Sequence, residues 1–104
     1  MAALAMIAGL HVSPALTADA QLIARSDGTF STPHDVAFDH EGRLPVADSG
    51  NNQIAVYRID GVKGTLFESW TGRLRNPEGV AVHGDTLWIS DTYNHRILAF
   101  RLRW

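Results

Sequence analysis

The sequence predicts an all-β fold built from repeated four-stranded antiparallel sheets. Residues 91–100 repeat the pattern of residues 48–57, in which Asp is followed three positions later by Asn, and then by Ile and an aromatic residue. Such self-similarity indicates a repeat protein. The apolar runs between turn residues are short, and none has the 3.6-residue spacing of a helix. Since a repeat of about 40 to 45 residues with four short strands is the period of a β-propeller blade, we expect an incomplete ring of about two blades.

The composition fits a small folded domain or a piece of a larger protein. The chain has 104 residues, of which 45% are hydrophobic, with a formal net charge of -2 and no cysteine. Disulfides and thiolate metal sites are therefore excluded, and the composition is not that of a disordered chain. Because the net charge is close to zero, no long-range field attracts a polyanion, and we expect no nucleic-acid partner.

The first 20 residues have the pattern of a secretory signal peptide. An apolar run covers residues 2–10, and Ala18-Asp19-Ala20 follows the small-x-small rule for cleavage. The run is shorter than the about 20 apolar residues that span a bilayer, so we expect no stable membrane insertion. We expect residues 1–20 to be a signal peptide and the protein to be secreted or periplasmic. A short N-terminal helix or a disordered tail is the alternative.

Turn residues divide the first copy of the repeat into strands. The expected strands are residues 22–24, 36–38, 43–47, 54–59 and 64–70. We expect Asn51 and its counterpart Asn94 to take the left-handed conformation that closes the hairpin. Pro45 lies within a strand, where it removes one ladder hydrogen bond, and this predicts an irregularity there.

The second copy restarts the cycle, with Pro77 at the position of Pro33. Residues 21–104 therefore form the propeller fragment, which we divide into a blade at 21–65 and a partial blade at 66–104. The partial blade ends after its third strand, and residues 22–24 could supply a fourth by pairing with a C-terminal sheet. We expect a fragment of a longer, six-bladed protein. The alternatives are a homo-oligomer that completes a ring by self-association and an open two-blade module.

The two copies resemble the NHL repeat family. The family pattern of Pro, Gly-Val-Ala-Val-Asp, Leu-Tyr-Val-Ala-Asp and Asn-x-Arg-Ile is matched over almost everything after residue 28, most closely by Asn94-His95-Arg96-Ile97. The resemblance implies a propeller of the six-bladed type. It indicates the fold strongly and the function weakly, because the repeat is a structural unit.

His34 is the first candidate for chemistry. Peptidyl-α-hydroxyglycine amidating lyases, which resemble NHL propellers, hold zinc with channel-facing histidines, and a Pro-His pair at the start of an inner strand is similar to that arrangement. Glu78 is the counterpart of His34 in the second copy, and an imidazole with a carboxylate suits zinc or another divalent ion. The candidate cofactors are zinc and calcium. His34 and Glu78 are therefore the candidate metal ligands. The sequence has no nucleophile elbow, phosphate loop or HExxH motif, so we assign no catalytic residue.

Three other residues are candidates for contacts with a partner. Tyr93 lies in a turn, Arg96 begins the following strand and Trp104 ends the chain. Aromatic and Arg side chains are enriched where proteins bind each other. Our leading hypothesis is a non-catalytic scaffold that binds a protein, peptide or glycan. The alternative is a metal-dependent propeller enzyme, resembling an amidating lyase or a lactonase, with His34 as a ligand.

Overall fold

The computed structural model describes residues 20–26 and 29–103, which form two antiparallel sheets. The first sheet has the order β1-β2-β3-β4, with strands Pro33–Val36 (β1), Arg43–Asp48 (β2), Gln53–Asp60 (β3) and Lys63–Trp70 (β4). The second has the order β5-β6-β7, with strands Pro77–His83 (β5), Thr86–Asp91 (β6) and Arg96–Arg101 (β7). The predicted all-β fold of about two incomplete propeller blades is confirmed. None of the described residues belongs to a helix long and apolar enough to cross a bilayer.

The hydrophobic core lies between the two sheets. Alternate residues of a strand point to opposite faces, and one face of each sheet is buried against the other. The fully or almost fully buried residues of this core are Ala47, Ile54, Val56, Leu74, Val80, Leu87, Ile89 and Leu102. Each small sheet thus gains from its neighbour the apolar cover that it lacks alone.

Pro45 changes the strand next to its own. β2 keeps an unbroken register with β3, including the pair Pro45 and Val56. The Ala37 N–H donates to the Pro45 carbonyl at 3.2 Å, but the reciprocal bond needs an N–H that proline lacks. β1 therefore ends at Val36, whereas β5 continues to His83 because Trp88 stands in the place of Pro45. The predicted irregularity falls on β1 and not on β2.

The N-terminal part of the fragment differs from the expectation. Residues 20–26 are extended without a strand, and Leu22 and Ile23 are exposed, so the predicted strand at 22–24 is wrong. Strands need a partner, and no ladder forms with this segment. Residues 1–19 of the predicted signal peptide, and Trp104 at the other end, lie outside the described residues.

The connection between the sheets is the segment 71–76. β4 pairs with β3 and belongs wholly to the first sheet, so the division that the sequence suggested between residues 65 and 66 falls inside this strand. Within residues 29–103 the second sheet has three strands, as the sequence predicted.

Candidate functional site

Four of the five candidate residues lie along one edge of the two sheets, which is formed by the ends of the strands and not by an outer strand. At this edge β1, β3, β5 and β7 begin and β2 and β6 end, followed by the 3-10 turns Ser49–Asn51 and Thr92–Asn94. We call it the turn edge. It includes His34, Glu78, Tyr93 and Arg96.

Asp48 organises the turn edge of the first sheet. Its side chain is fully buried. Oδ1 accepts a hydrogen bond from the Ser31 N–H at 2.8 Å, and Oδ2 accepts from Asn51 Nδ2 and Gln53 Nε2, each at 2.8 Å. Burial of a carboxylate is costly unless its oxygens are satisfied, and here three donors satisfy them. The network fixes the loop before β1 to the turn after β2.

Asp91 repeats this network with one change. It is fully buried, and it accepts from the Arg75 N–H at 2.8 Å and from Asn94 Nδ2 at 2.8 Å. Arg96 Nε replaces the amide of Gln53 and donates to Oδ2 at 2.7 Å. Burial raises the pKa of Asp91, but the hydrogen bonds from Arg75, Asn94 and Arg96, together with the charge of Arg96, outweigh it. The pKa therefore lies below its usual value of 3.8.

The left-handed residues come one position later than expected. Asn52 and His95 have φ values of 52° and 55°, while Asn51 and Asn94 lie within the 3-10 turns. The predicted left-handed conformation of Asn51 and Asn94 is therefore wrong. The side chain of each asparagine instead donates two hydrogen bonds. One goes to the buried aspartate of the same sheet, and the other goes to a carbonyl in the loop before β1 or β5.

Polar contacts at the turn edge also join the two sheets. The Asn76 N–H donates to Asn52 Oδ1 at 2.8 Å, and the Ser49 hydroxyl donates to the Pro77 carbonyl. The left-handed turn residue of the first sheet thereby holds the segment that leads into the second. The edge is a continuous, hydrogen-bonded platform across both sheets.

The metal candidates occupy equivalent β-bulges. The register of β1 shifts between Pro33 and Asp35, and that of β5 between Pro77 and Gly79, so His34 and Glu78 are the extra residues. His34 is exposed, and Glu78 Oε2 accepts from Asn76 Nδ2 at 2.7 Å. Among residues 20–26 and 29–103, no three His, Cys, Asp or Glu side chains are grouped so as to hold a metal ion.

The partner candidates differ in exposure and support. Tyr93 is 57% exposed, and its backbone N–H donates to the Arg75 carbonyl at 3.0 Å, which fixes the turn that carries the ring. The side chain of Arg96 is 44% exposed while its Nε is held by Asp91. Trp104 lies outside the described residues.

Asp35 is a residue of the site that the sequence reasoning missed. Its Oδ2 accepts from the Val80 N–H of the second sheet at 3.0 Å, and its Oδ1 accepts from its own neighbour Val36. The repeat has glycine at this position, as in Gly79 of the second copy, and that departure was the available signal. A Cβ on Gly79 would stand 3.0 Å from Ser90 Oγ, so the second copy has little room for a side chain there.

The opposite edge holds a third buried carboxylate. Asp39 and Arg43 are 7% and 3% exposed, and their ion pair measures 2.7 Å from Nε to Oδ2. Burial raises the pKa of Asp39, but hydrogen bonds from the backbone N–H groups of Arg43 and Glu41, together with the Arg43 charge, lower it by a larger amount. The pKa of Asp39 therefore lies below its usual value.

Comparison with protein families identifies the repeat. The NHL repeat model matches residues 30–57 and 74–100, which together make up just over half of the chain. The chain belongs to the NHL repeat family. Each match contains the three strands and the 3-10 turn of one NHL copy, including its buried aspartate, Asp48 or Asp91. A search of curated proteins found no match to the chain.

Proposed function

We propose that this NHL chain is a non-catalytic scaffold that binds a protein or peptide at its turn edge. NHL repeats commonly form protein-binding propeller scaffolds. The observation that supports the proposal is the exposure of the Tyr93 ring on a fixed turn. More than half of the residue is exposed, while the backbone of the turn is held by the bonds from the Tyr93 N–H to the Arg75 carbonyl and from the His95 N–H to the Thr92 carbonyl. A rigid exposed aromatic residue loses little conformational freedom on binding, which favours affinity.

Arg96 gives this surface its chemical preference. The buried Asp91 holds Nε, so the guanidinium is oriented while part of it remains in solvent. An oriented guanidinium suits a carboxylate, and the exposed Tyr93 ring at the same edge suits an apolar group. The proposed partner therefore carries an acidic residue beside an apolar one.

Site-specific crosslinking tests the proposal. A photoreactive phenylalanine placed at Tyr93 should capture the partner, whereas the same residue at Val62, exposed in a turn at the opposite edge, should not. The captured protein is then titrated by calorimetry against wild type, Tyr93→Ala and Arg96→Gln. We expect each variant to weaken binding about tenfold, since contact residues of this kind each contribute more than about 1 kcal/mol.

The choice of Arg96→Gln keeps the fold intact. Gln occupies the equivalent position in the first copy, where Gln53 donates to Asp48 at 2.8 Å. The variant therefore removes the charge and keeps a donor for the buried carboxylate. Equal capture at positions 93 and 62, or capture of a glycan in place of a protein, would contradict the proposal.

We also propose that the protein is exported and that residues 1–20 are removed. The apolar run and the Ala18-Asp19-Ala20 site support this. Mass spectrometry of the protein from its native cells should find Gln21 as the mature N-terminus. An intact Met1 on the exported protein would count against it.

The metal-dependent enzyme is a second candidate, favoured by the two bulges. A β-bulge redirects a side chain and is over-represented next to active sites, and His34 and Glu78 occupy matching bulges at one edge. If this candidate is right, the purified protein binds stoichiometric zinc or calcium, and His34→Ala removes it. Metal content that is unchanged in His34→Ala would dismiss His34 as a ligand.

A further inference from the structure

The interface between the two sheets shows which surfaces fit each other. The first sheet contributes Ala47, Ile54 and Val56, and the second contributes Val80, Leu87 and Ile89. Because both sheets are copies of one repeat, each set has counterparts on the other sheet. Those counterparts lie on the two faces that point away from the interface.

The first open face, defined by Val36, Phe38, Leu44 and Val46, is the counterpart of the second sheet's half of the interface. Val80 is 7% exposed in the interface, whereas its counterpart Val36 is 55% exposed. A groove of about 470 Å³ lies on this face, lined by Leu44, Val46 and Tyr57 among others, with residues 24–26 on one side.

The second open face, defined by Trp88, Ile97 and Ala99, is the counterpart of the first sheet's half. Ile54 is fully buried in the interface, whereas its counterpart Ile97 is 63% exposed. Trp88 is 46% exposed. The alternation of side chains along β6 puts Trp88 on the blade face that has no neighbour among the described residues.

We propose that a second copy of this chain docks head to tail, so that its first open face covers the second open face of the copy before it. The new junction repeats an interface that the chain already forms within itself, with equivalent residues on both sides. The groove of the incoming copy supplies space for Trp88, which is larger than Pro45 at the same position of the first sheet. Both faces are apolar and partly exposed, and their burial favours association.

One polar contact of the existing junction recurs at the new one, whereas the bond of Asp35 to the Val80 N–H does not, because its counterpart Gly79 has no side chain. The Ser49 hydroxyl donates to the Pro77 carbonyl within the chain. Their counterparts are Thr92, which keeps a hydroxyl, and Pro33, which is exposed whereas Pro77 is buried. Thr92 of one copy can therefore make the same bond to the Pro33 carbonyl of the next.

This junction joins two different faces, so it adds copies in one direction until the ring closes. Propellers close with roughly 4 to 8 blades, and residues 29–103 of each copy form two sheets. The closed assembly therefore contains roughly two to four copies. The proposal is independent of partner binding at the turn edge.

Two variants and their mixture test the junction. Ile97→Arg blocks the second open face and Val36→Arg blocks the first, and both positions are more than half exposed in the single chain, so each variant should fold. Light scattering after gel filtration should give a multiple of 11.4 kDa for wild type and single chains for each variant. Each variant keeps one intact face, so an equimolar mixture should form a 1:1 dimer with one junction.

Controls separate this proposal from folding defects and from the proposed function. His83→Arg adds the same charge at the opposite edge and should assemble like wild type, as should Tyr93→Ala. Circular dichroism should show the same β content in all variants. The proposal would be overturned by a monomeric wild type, by variants that assemble as wild type does, or by a mixture that stays monomeric. If a different protein covers these faces, the purified wild type should be monomeric.

Discussion

Replacing Asp91 by Asn should destabilise the protein more than the same change at Asp48. Oδ2 of Asp91 accepts from Asn94 Nδ2 and from Arg96 Nε, at 2.8 and 2.7 Å. Asparagine has one carbonyl oxygen and one NH₂ group, whereas two donor-only groups face Asp91: the Arg75 N–H on Oδ1 and Arg96 Nε on Oδ2. Rotation of the amide can therefore keep one of these two bonds and not both. At Asp48 the corresponding partner is Gln53, whose amide can turn and accept.

The magnitude follows from the bonds that are lost. A hydrogen bond to a charged group contributes about 1.5–3 kcal/mol. Asp91→Asn loses one such bond outright and weakens the others, because the carboxylate charge is gone. Because Arg96 is 44% exposed, solvent screening reduces its share, and we expect a total cost of about 3 kcal/mol. For Asp48→Asn, where Gln53 can adapt, we expect about 1.5 kcal/mol. The difference is large against a total stability of about 5–15 kcal/mol.

Urea unfolding at fixed protein concentration, followed by the fluorescence of Trp70 and Trp88, measures both changes. The transition midpoint should shift while the slope stays constant. Adding Arg96→Gln to Asp91→Asn recreates the adaptable pair of the first sheet and should recover about 1 kcal/mol in a double-mutant cycle. Equal costs at Asp48 and Asp91, or additivity of the two changes within about 0.5 kcal/mol, would refute the reasoning.

Two further predictions concern the other buried or bridging carboxylates. Because the pKa values of Asp39 and Asp91 are lowered in the folded protein, their contribution to stability is present above the unfolded value of about 3.8 and is lost as the pH falls through the folded values. When the unfolding free energy is measured at decreasing pH, it should begin to fall below about pH 5. The fall should be smaller in Asp91→Asn, and an equal fall in that variant would contradict the prediction. Asp35→Gly removes the acceptor for the Val80 N–H and should cost about 1–3 kcal/mol; urea midpoints that match wild type would show that this bond is dispensable.

The sequence predicts the sheets well because their determinants are local. Short apolar runs and turn residues define hairpins, and the 44-residue offset between Pro33 and Pro77 defines the repeat. Residues 22–24 have the same local pattern, yet they form no strand, because a strand also depends on a neighbour that the pattern does not supply. Local reading therefore identifies hairpins more reliably than isolated strands.

The hydrogen-bonding partners were less predictable because they are distant in the chain. An aspartate directly before a turn commonly accepts from the backbone N–H groups of that turn, and Asp48 has this place in the sequence. The backbone donor is instead Ser31, 17 residues earlier, and the turn contributes the side chain of Asn51. This use of the Asn51 side chain also explains why the left-handed residue is Asn52. Only three-dimensional contact reveals such an arrangement.

The two turn edges are copies in geometry and differ in chemistry. Gln53 and Arg96 hold equivalent buried aspartates, but only Arg96 leaves an oriented charge at the surface, and the turn that ends at Asn51 has Gly50 where the second has Tyr93. A Cβ at Gly50 would stand 2.8 Å from the Ser31 carbonyl oxygen, so the first turn has no room for a side chain at the position that Tyr93 occupies in the second. Recognition by the turn edge should therefore come from the second sheet, with the first sheet holding it in place through Asn52 and Ser49.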